Sequence, residues 1–271
     1  MLKIVTFFYK LCNRLSIRFG KAAFELKTIK YHIEFGERDD DIYVVTYPKS
    51  GTTLMQMILY QLTTDGKVDF KHIYDVSPWT DNDVFRDIPP RDLPSPRIIK
   101  SHRYYKKFDK ATKGRFIVVV RDGMDVAVSQ YHQFKNYNNP DLEFDEFVSG
   151  FFSNKDNWFA FSRDWFKNKN KRNVLYVRYE DILNNFDESL KKVAGFINVE
   201  IDPKDLPRIK KHCSFEFMKQ HEEKFGDEDP LKESRKKYDQ FIRKGKRGEG
   251  KIYFNDKQKA KFEKQVKEYG L

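Results

Sequence analysis

Four short apolar segments set the frame for this chain: IYVVT at 42–46, RIIK at 97–100, FIVVV at 116–120 and VLYVRY at 174–179. Each is a run rather than an alternation of apolar and polar residues, so each predicts a strand buried on both faces. Stretches of helical character lie between and after them. They are TLMQMILYQL at 53–62, MDVAVSQYHQF at 124–134, FDEFVSGFF at 144–152, NWFAFSRDWF at 157–166 and DILNNFDESLKKVAGFI at 181–197. Strands interleaved with helices demand crossover connections, and therefore a parallel sheet. The expected fold class is α/β, a single domain with a P-loop-like open parallel sheet flanked by helices on both faces. The 271 residues suffice for one such unit. With 25 Phe, 15 Tyr and 3 Trp, aromatic bulk offsets a modest apolar fraction of 39%.

The longest apolar run is too short to span a bilayer. Two cysteines, Cys12 and Cys213, exclude a disulfide framework and a cysteine-based zinc site. They fit a reducing compartment, and the expected location is cytoplasmic. The net charge of +11 is unevenly placed: residues 1–30 contribute +6, residues 231–271 contribute +8, and the body between them carries −3. A nucleic-acid-binding domain would carry its basic face in the body, so no nucleic-acid partner is expected. Residues 1–38 read as a basic amphipathic helical segment, with Ile4, Phe8, Leu11, Leu15 and Phe19 on one face. Lys10 and Arg14 interrupt the apolar core that a signal peptide needs. Packing on its own domain is the favoured reading of this helix, and peripheral contact of residues 1–30 with an anionic membrane surface is the alternative. The body, 39–271, ends in a charged lid around 222–251.

In an open parallel sheet, ligands bind beyond the carboxyl ends of the strands. The first strand leads into Lys49, Ser50, Gly51, Thr52 and Thr53; the second into Lys100 and His102; the third into Arg121, with Ser129 on the following helix; the fourth into Tyr179. A glycine turn before a helix N-terminus, with hydroxyls and a lysine, makes a cradle for a phosphate-like anion. The lysine precedes the glycine, so the string is not the GxxxxGK[ST] nucleotide loop. His102, with an unperturbed pKa of about 6.5, suits proton transfer. No motif for a metal appears among the six histidines. Arg121 has Asp122 and Asp125 within reach as alternative partners. RKGKRGEGK at 243–251 can be either a solvated charge run or a phosphate-binding segment. His132, His212, Trp158 and Trp165 read as structural.

These segments resemble, in order and spacing, the cytosolic-type sulfotransferases. TYPKSGTT at 46–53 is similar to their 5′-phosphosulfate loop, VVVRDGMDVAVSQYH at 118–132 to their 3′-phosphate motif, and RIIKSH at 97–102 to the segment that carries their catalytic histidine. NWFAFSRDWF, VLYVRYEDI, HCSFEFM at 212–218 and FIRKGKRGEGK at 241–251 complete the likeness over about 40–255. The resemblance implies transfer of a sulfuryl group from 3′-phosphoadenosine 5′-phosphosulfate (PAPS) to a hydroxyl or amine of a small-molecule acceptor, without a metal. It implies His102 as general base, with Lys49 and Lys100 as its catalytic partners. Lys49, Ser50, Gly51, Thr52 and Thr53 would hold the phosphosulfate. Arg121, Ser129, Arg243, Lys244 and Gly245 would hold the 3′-phosphate, and Tyr179, Cys213 and Phe215 would lie near the adenine. The chain departs from the family pattern at Leu54 (usually Trp), Cys213 (usually Thr), Glu249-Gly250 (usually Asp-Trp), and at Asn255, Asp256 and Ala260 in the dimer motif, which leaves the oligomeric state open. Two other readings stand beside it: a magnesium-dependent kinase-like phosphotransferase using Asp122, and a non-enzymatic basic module for membrane or nucleic acid.

Overall fold

The computed structural model describes residues 16–108, 112–137, 139–171, 173–226 and 241–271. In chain order the elements are α1 (Ser16–Phe35), β1 (Ile42–Thr46), α2 (Thr52–Thr63), α3 (Thr80–Phe85), β2 (Ile98–Ser101), β3 (Arg115–Val120), α4 (Gly123–Tyr137), α5 (Phe144–Ser153) and α6 (Trp158–Phe166). They continue with β4 (Val174–Arg178), α7 (Tyr179–Asn184), α8 (Phe186–Ile197), α9 (Leu206–His212), α10 (Phe215–Gln220), α11 (Gly250–Tyr253) and α12 (Asp256–Tyr269). The four strands form one sheet in the order β2-β1-β3-β4, and every pairing is parallel. Successive side chains of a strand point to opposite faces, and both faces of this sheet are covered. Ile42, Val44, Ile117 and Val119 pack with α2 and α8, while Tyr43, Val45, Phe116 and Val118 pack with Tyr31 and Phe35 of α1 and Phe161 and Trp165 of α6. Each such buried side chain contributes about 1.5–3 kcal/mol. The α/β class, the parallel sheet and the helices on both faces are as expected.

The strand order places the site. The chain leaves β1 towards β2 on one side and leaves β3 towards β4 on the other. The crevice between the carboxyl ends of β1 and β3 is therefore the switch point at which open sheets bind ligands. Val45 and Thr46 lie opposite Val118 and Val119, so the loops after these two strands leave the sheet side by side.

Two expected elements differ in detail. VLYVRY ends as strand at Arg178, and Tyr179 opens α7. The single helix expected over 181–197 is broken at Asn185, which takes an extended φ of −145° and caps α8, its side chain accepting from the Glu188 N–H. The N-terminal face of Ile4, Phe8, Leu11 and Leu15 lies outside the described residues. The described end of α1 packs on the sheet through Tyr31 and Phe35, and its cations are paired, Lys27 with Asp87 at 2.7 Å and Lys30 with Glu34 at 2.8 Å. Among the described residues no helix is long and apolar enough to cross a membrane. Of the expected lid, residues 227–240 lie outside the described residues. Trp158 and Trp165 are core, with Trp165 fully buried.

Candidate active site

The loop between β1 and α2 is shaped by two left-handed residues, Lys49 at φ 69° and Gly51 at φ 99°. Gly51 caps α2 and has no side chain with which to satisfy the first N–H groups of that helix, so they stay open to a ligand at the positive end of its dipole. A side chain at 51 is also sterically barred: its Cβ would lie 2.5 Å from Cδ2 of Tyr179. Tyr179, at the start of α7 just past β4, thus packs against the glycine of the loop after β1, and both line one cavity of about 430 Å³.

Of the residues expected at the site, Lys49, Gly51, Thr52, Thr53, Lys100, His102, Arg121, Ser129, Tyr179, Cys213, Phe215, Arg243, Lys244 and Gly245 all line this cavity. Ser50 lies behind the wall, 1% exposed, and its Oγ has no hydrogen-bond partner among the described residues. Nε of Arg121 is likewise buried without a partner among the described residues. An orphaned donor on Arg121, a residue that lines the cavity, fits a phosphate-bearing ligand, because a buried donor left unpaired costs about 1–3 kcal/mol.

His102 follows β2. Its Nδ1 lies 2.8 Å from the carbonyl oxygen of Thr46 at the end of β1. A carbonyl can only accept, so Nδ1 carries the proton and Nε2 keeps its lone pair. The Thr46 hydroxyl lies 3.3 Å from the same nitrogen and 2.6 Å from the hydroxyl of Thr52. Burial, with the charge of Lys100 behind it, lowers the His102 pKa to about 3, against the hydrogen bond to Thr46, which raises it. The ring is therefore a neutral base at physiological pH. It meets Trp79 edge-on at 5.1 Å. The Lys100 ammonium donates to the Tyr74 hydroxyl at 2.7 Å and sits 3.9 Å from the Trp79 ring centroid. The Lys49 ammonium lies 4.7 Å from the ring centroid of Phe241, where the chain returns to the site.

Arg121 is fixed from three sides. It donates to the carbonyls of Lys49 at 3.1 Å and Lys246 at 3.2 Å, and its guanidinium lies 5.0 Å from the Tyr179 ring centroid. Its contact with Asp125 is a long 4.0 Å, because Asp125 is engaged elsewhere, accepting from the N–H groups of Gly248 and Gly250 at 2.7 and 2.8 Å. The basic segment from 243 is thereby tied to the start of α4, and it lines the cavity rather than lying free in solvent. Cys213 is a buried free thiol whose pKa burial raises to about 12, so it offers no nucleophile.

The cavity also holds residues that sequence reasoning missed. His132, Gln133 and Asn136 line it beside Ser129. They recur at three, four and seven residues after Ser129 on α4, so helical spacing from the one expected position would have found them. His132 accepts from or donates to the Tyr253 hydroxyl at 3.0 Å. His212 is structural as expected, between Gln61 and the Gly66 carbonyl. Leu54, Trp79, Met218 and Ile242 supply apolar lining. Phe85 and Phe134 are exposed, and Tyr105 packs on Trp165. Among the described residues no group of three or more His, Cys, Asp or Glu could hold a metal ion.

A model of the sulfotransferase domain matches residues 39–269. Sulfotransferase 1B1 of Mus musculus is 31% identical over 254 residues, which span 85% of this chain and 82% of that protein. Amine sulfotransferase of Oryctolagus cuniculus is 28% identical over 94% of this chain and 87% of its own. Among solved structures, mouse sulfotransferase SULT7A1 complexed with PAP superposes with a TM-score of 0.67 at 25% identity, covering 88% of this chain and 87% of the other.

Proposed function

The chain belongs to the sulfotransferase family, a PAPS-dependent transferase of sulfuryl groups, and we propose that the cavity at the β1–β3 switch point is where the transfer takes place. Family membership sets aside the phosphotransferase and binding-module readings. When bound, PAPS supplies a sulfuryl group already activated on its phosphosulfate linkage. The protein's task is then to align two reactants and stabilise charge spread over oxygens, as in phosphoryl transfer.

The geometry above supports the following roles. The open N–H groups of α2, with the hydroxyls of Thr52 and Thr53, face the sulfuryl end. Lys49 neutralises charge that builds on the bridging oxygen as it leaves, and Lys100, held between Tyr74 and Trp79, neutralises charge on the group in transit. His102, whose Nδ1–H donates to the Thr46 carbonyl, takes the acceptor's proton at Nε2. Arg121, Ser129, Arg243, Lys244 and Gly245 hold the 3′-phosphate. Tyr179, Cys213 and Phe215 hold the adenine side, with Leu54 giving apolar contact where an aromatic stack is usual.

The acceptor is a small molecule with a hydroxyl or an amine. Trp79, which lines the cavity edge-on to His102, suits one with a flat or ring-shaped apolar body. The same reading carries a cytoplasmic location and a basic segment at 1–38 ahead of one catalytic unit at 39–271. The observation that carries the proposal is the convergence of Lys49, Lys100, Arg121 and a neutral, oriented His102 on one cavity. Calorimetric titration with adenosine 3′,5′-bisphosphate tests it. Saturable binding without magnesium, lost in Lys49→Ala with Arg121→Ala, is expected. Binding that survives both substitutions would refute the site.

A further inference from the structure

The cations expected to meet the 3′-phosphate are not loose. Arg243 donates through Nη1 to Oε1 of Glu249 at 3.0 Å and through Nη2 to Oε2, a two-pronged pair, and the Lys244 ammonium donates to the same Oε1 at 3.0 Å. Arg243 and Glu249 are only 16% and 12% exposed. Arg243 and Lys244 line the cavity, whereas Glu249 does not, so the carboxylate grips them from behind the wall.

Glu249 is itself held. Its two neighbours, Gly248 and Gly250, donate their N–H groups to the two oxygens of Asp125 at 2.7 and 2.8 Å. The fit at Gly250 is tight: a Cβ there would lie 2.4 Å from Cβ of Met124 and 3.0 Å from the Asp125 nitrogen. Any side chain at 250 would push the turn off α4. The carbonyl of Lys246 accepts from Arg121 on the other side. A chain of contacts therefore runs from α4 through Asp125 to the turn, and from Glu249 to the two cations.

We infer that Glu249 is a positioning residue for nucleotide recognition, keeping Arg243 and Lys244 at the cavity wall as a preformed anion-binding pair. This rests on the donor-site reading above. Free arginine and lysine side chains carry rotamer entropy that an anion would otherwise have to remove. Arginine has five N–H donors and the pair with Glu249 engages its two terminal nitrogens through one edge, so donors remain for a phosphate. Arg121, Arg243 and Lys244 outweigh the two carboxylates of Glu249 and Asp125, and the site stays cationic. The pairing with Arg243 lowers the Glu249 pKa to about 2, so the grip holds across the working pH range. A carboxylate that instead competed with the ligand would have the opposite effect on affinity.

The test compares adenosine 3′,5′-bisphosphate with adenosine 5′-phosphate by calorimetry on the full chain, native, Glu249→Gln and Glu249→Asp. The native preference for the bisphosphate is expected to fall about tenfold in Glu249→Gln, the loss of roughly one charge-assisted contact. Affinity for the 5′-phosphate stays unchanged, and Glu249→Asp, which keeps the charge, stays within about threefold of native. An unchanged preference, a rise in it, or an equal loss for both nucleotides in Glu249→Gln would overturn the inference. Should Glu249→Gln not fold, a preference at least about tenfold lower in Glu249→Asp would overturn it too. A native chain that binds neither nucleotide would overturn the donor-site reading, and this inference with it.

Discussion

Gly51→Ala perturbs the site at its tightest point, and its cost can be worked from two independent observations. At φ 99° the backbone is left-handed, which costs an L-residue about 1–2 kcal/mol. The new methyl carbon would also lie 2.5 Å from the Tyr179 ring. Tyr179 is buried between the loop and Arg121 and has little room to yield, so overpacking adds about 1–3 kcal/mol. The sum is about 2–5 kcal/mol, or a fall in Tm of roughly 4–20 °C for a domain of this size. Thermal unfolding followed by circular dichroism measures it, with nucleotide titration alongside, since the displaced loop should also bind adenosine 3′,5′-bisphosphate more weakly. Tyr179→Leu separates the two contributions. In that background Gly51→Ala should lose the steric part and keep the backbone part, a coupling of about 1–3 kcal/mol. A Tm within about 2 °C of native together with unchanged binding would refute the reasoning.

Other outcomes follow from the same geometry. His102→Ala should abolish turnover, at least about 100-fold, while nucleotide affinity and Tm remain close to native; rapid-quench turnover beside calorimetry checks the split. Because burial and Lys100 lower the His102 pKa to about 3, the free protein keeps this base neutral throughout the ordinary histidine range. The acid limb of kcat/KM should accordingly lie below pH 5, and a midpoint near the unperturbed value of about 6.5 would contradict the buried, cation-flanked ring. The same lowered pKa means that the unfolded chain binds more protons between pH 3 and 6.5, so native stability should fall as pH drops through that window, and less so in His102→Gln. Asp125→Asn leaves one acceptor for the two N–H groups of Gly248 and Gly250. Loss of stability by about 1–3 kcal/mol, with faster proteolysis in the basic segment at 243–251, is expected.

The sheet was legible in the sequence because β1 and β2 are buried along their whole length and β3 at all but its ends, so they read as apolar runs, while β4 at the sheet edge is only partly buried. β1 lies over the expected 42–46, with Ile42, Val44, Tyr43 and Val45 divided between the two helical layers. The site was legible for a related reason: strand ends in a parallel sheet share one edge, so Lys49, Lys100, His102 and Arg121 had to converge there. The break at Asn185 was hidden by an apolar pattern that continues across it, although Asn185 with Glu188 three residues on is a capping pair that marks the start of a helix. Thr46 was invisible as a partner of His102 because it contributes a backbone carbonyl, which sequence does not distinguish. Asp125 and Glu249 were out of reach for a different reason. They act through contacts more than a hundred residues apart and within a charge run that has no period, so only the folded chain brings them together.

Transfer itself tests the central claim most directly. The full chain is incubated with radiolabelled PAPS and a panel of phenols, alicyclic alcohols and amines, beside Lys49→Ala and His102→Ala. Label should appear on at least one acceptor without added metal, with adenosine 3′,5′-bisphosphate released in equal amount, and neither variant should transfer it. Transfer that persists in both variants would contradict the account of the site, as would a native chain that neither transfers label nor binds the bisphosphate.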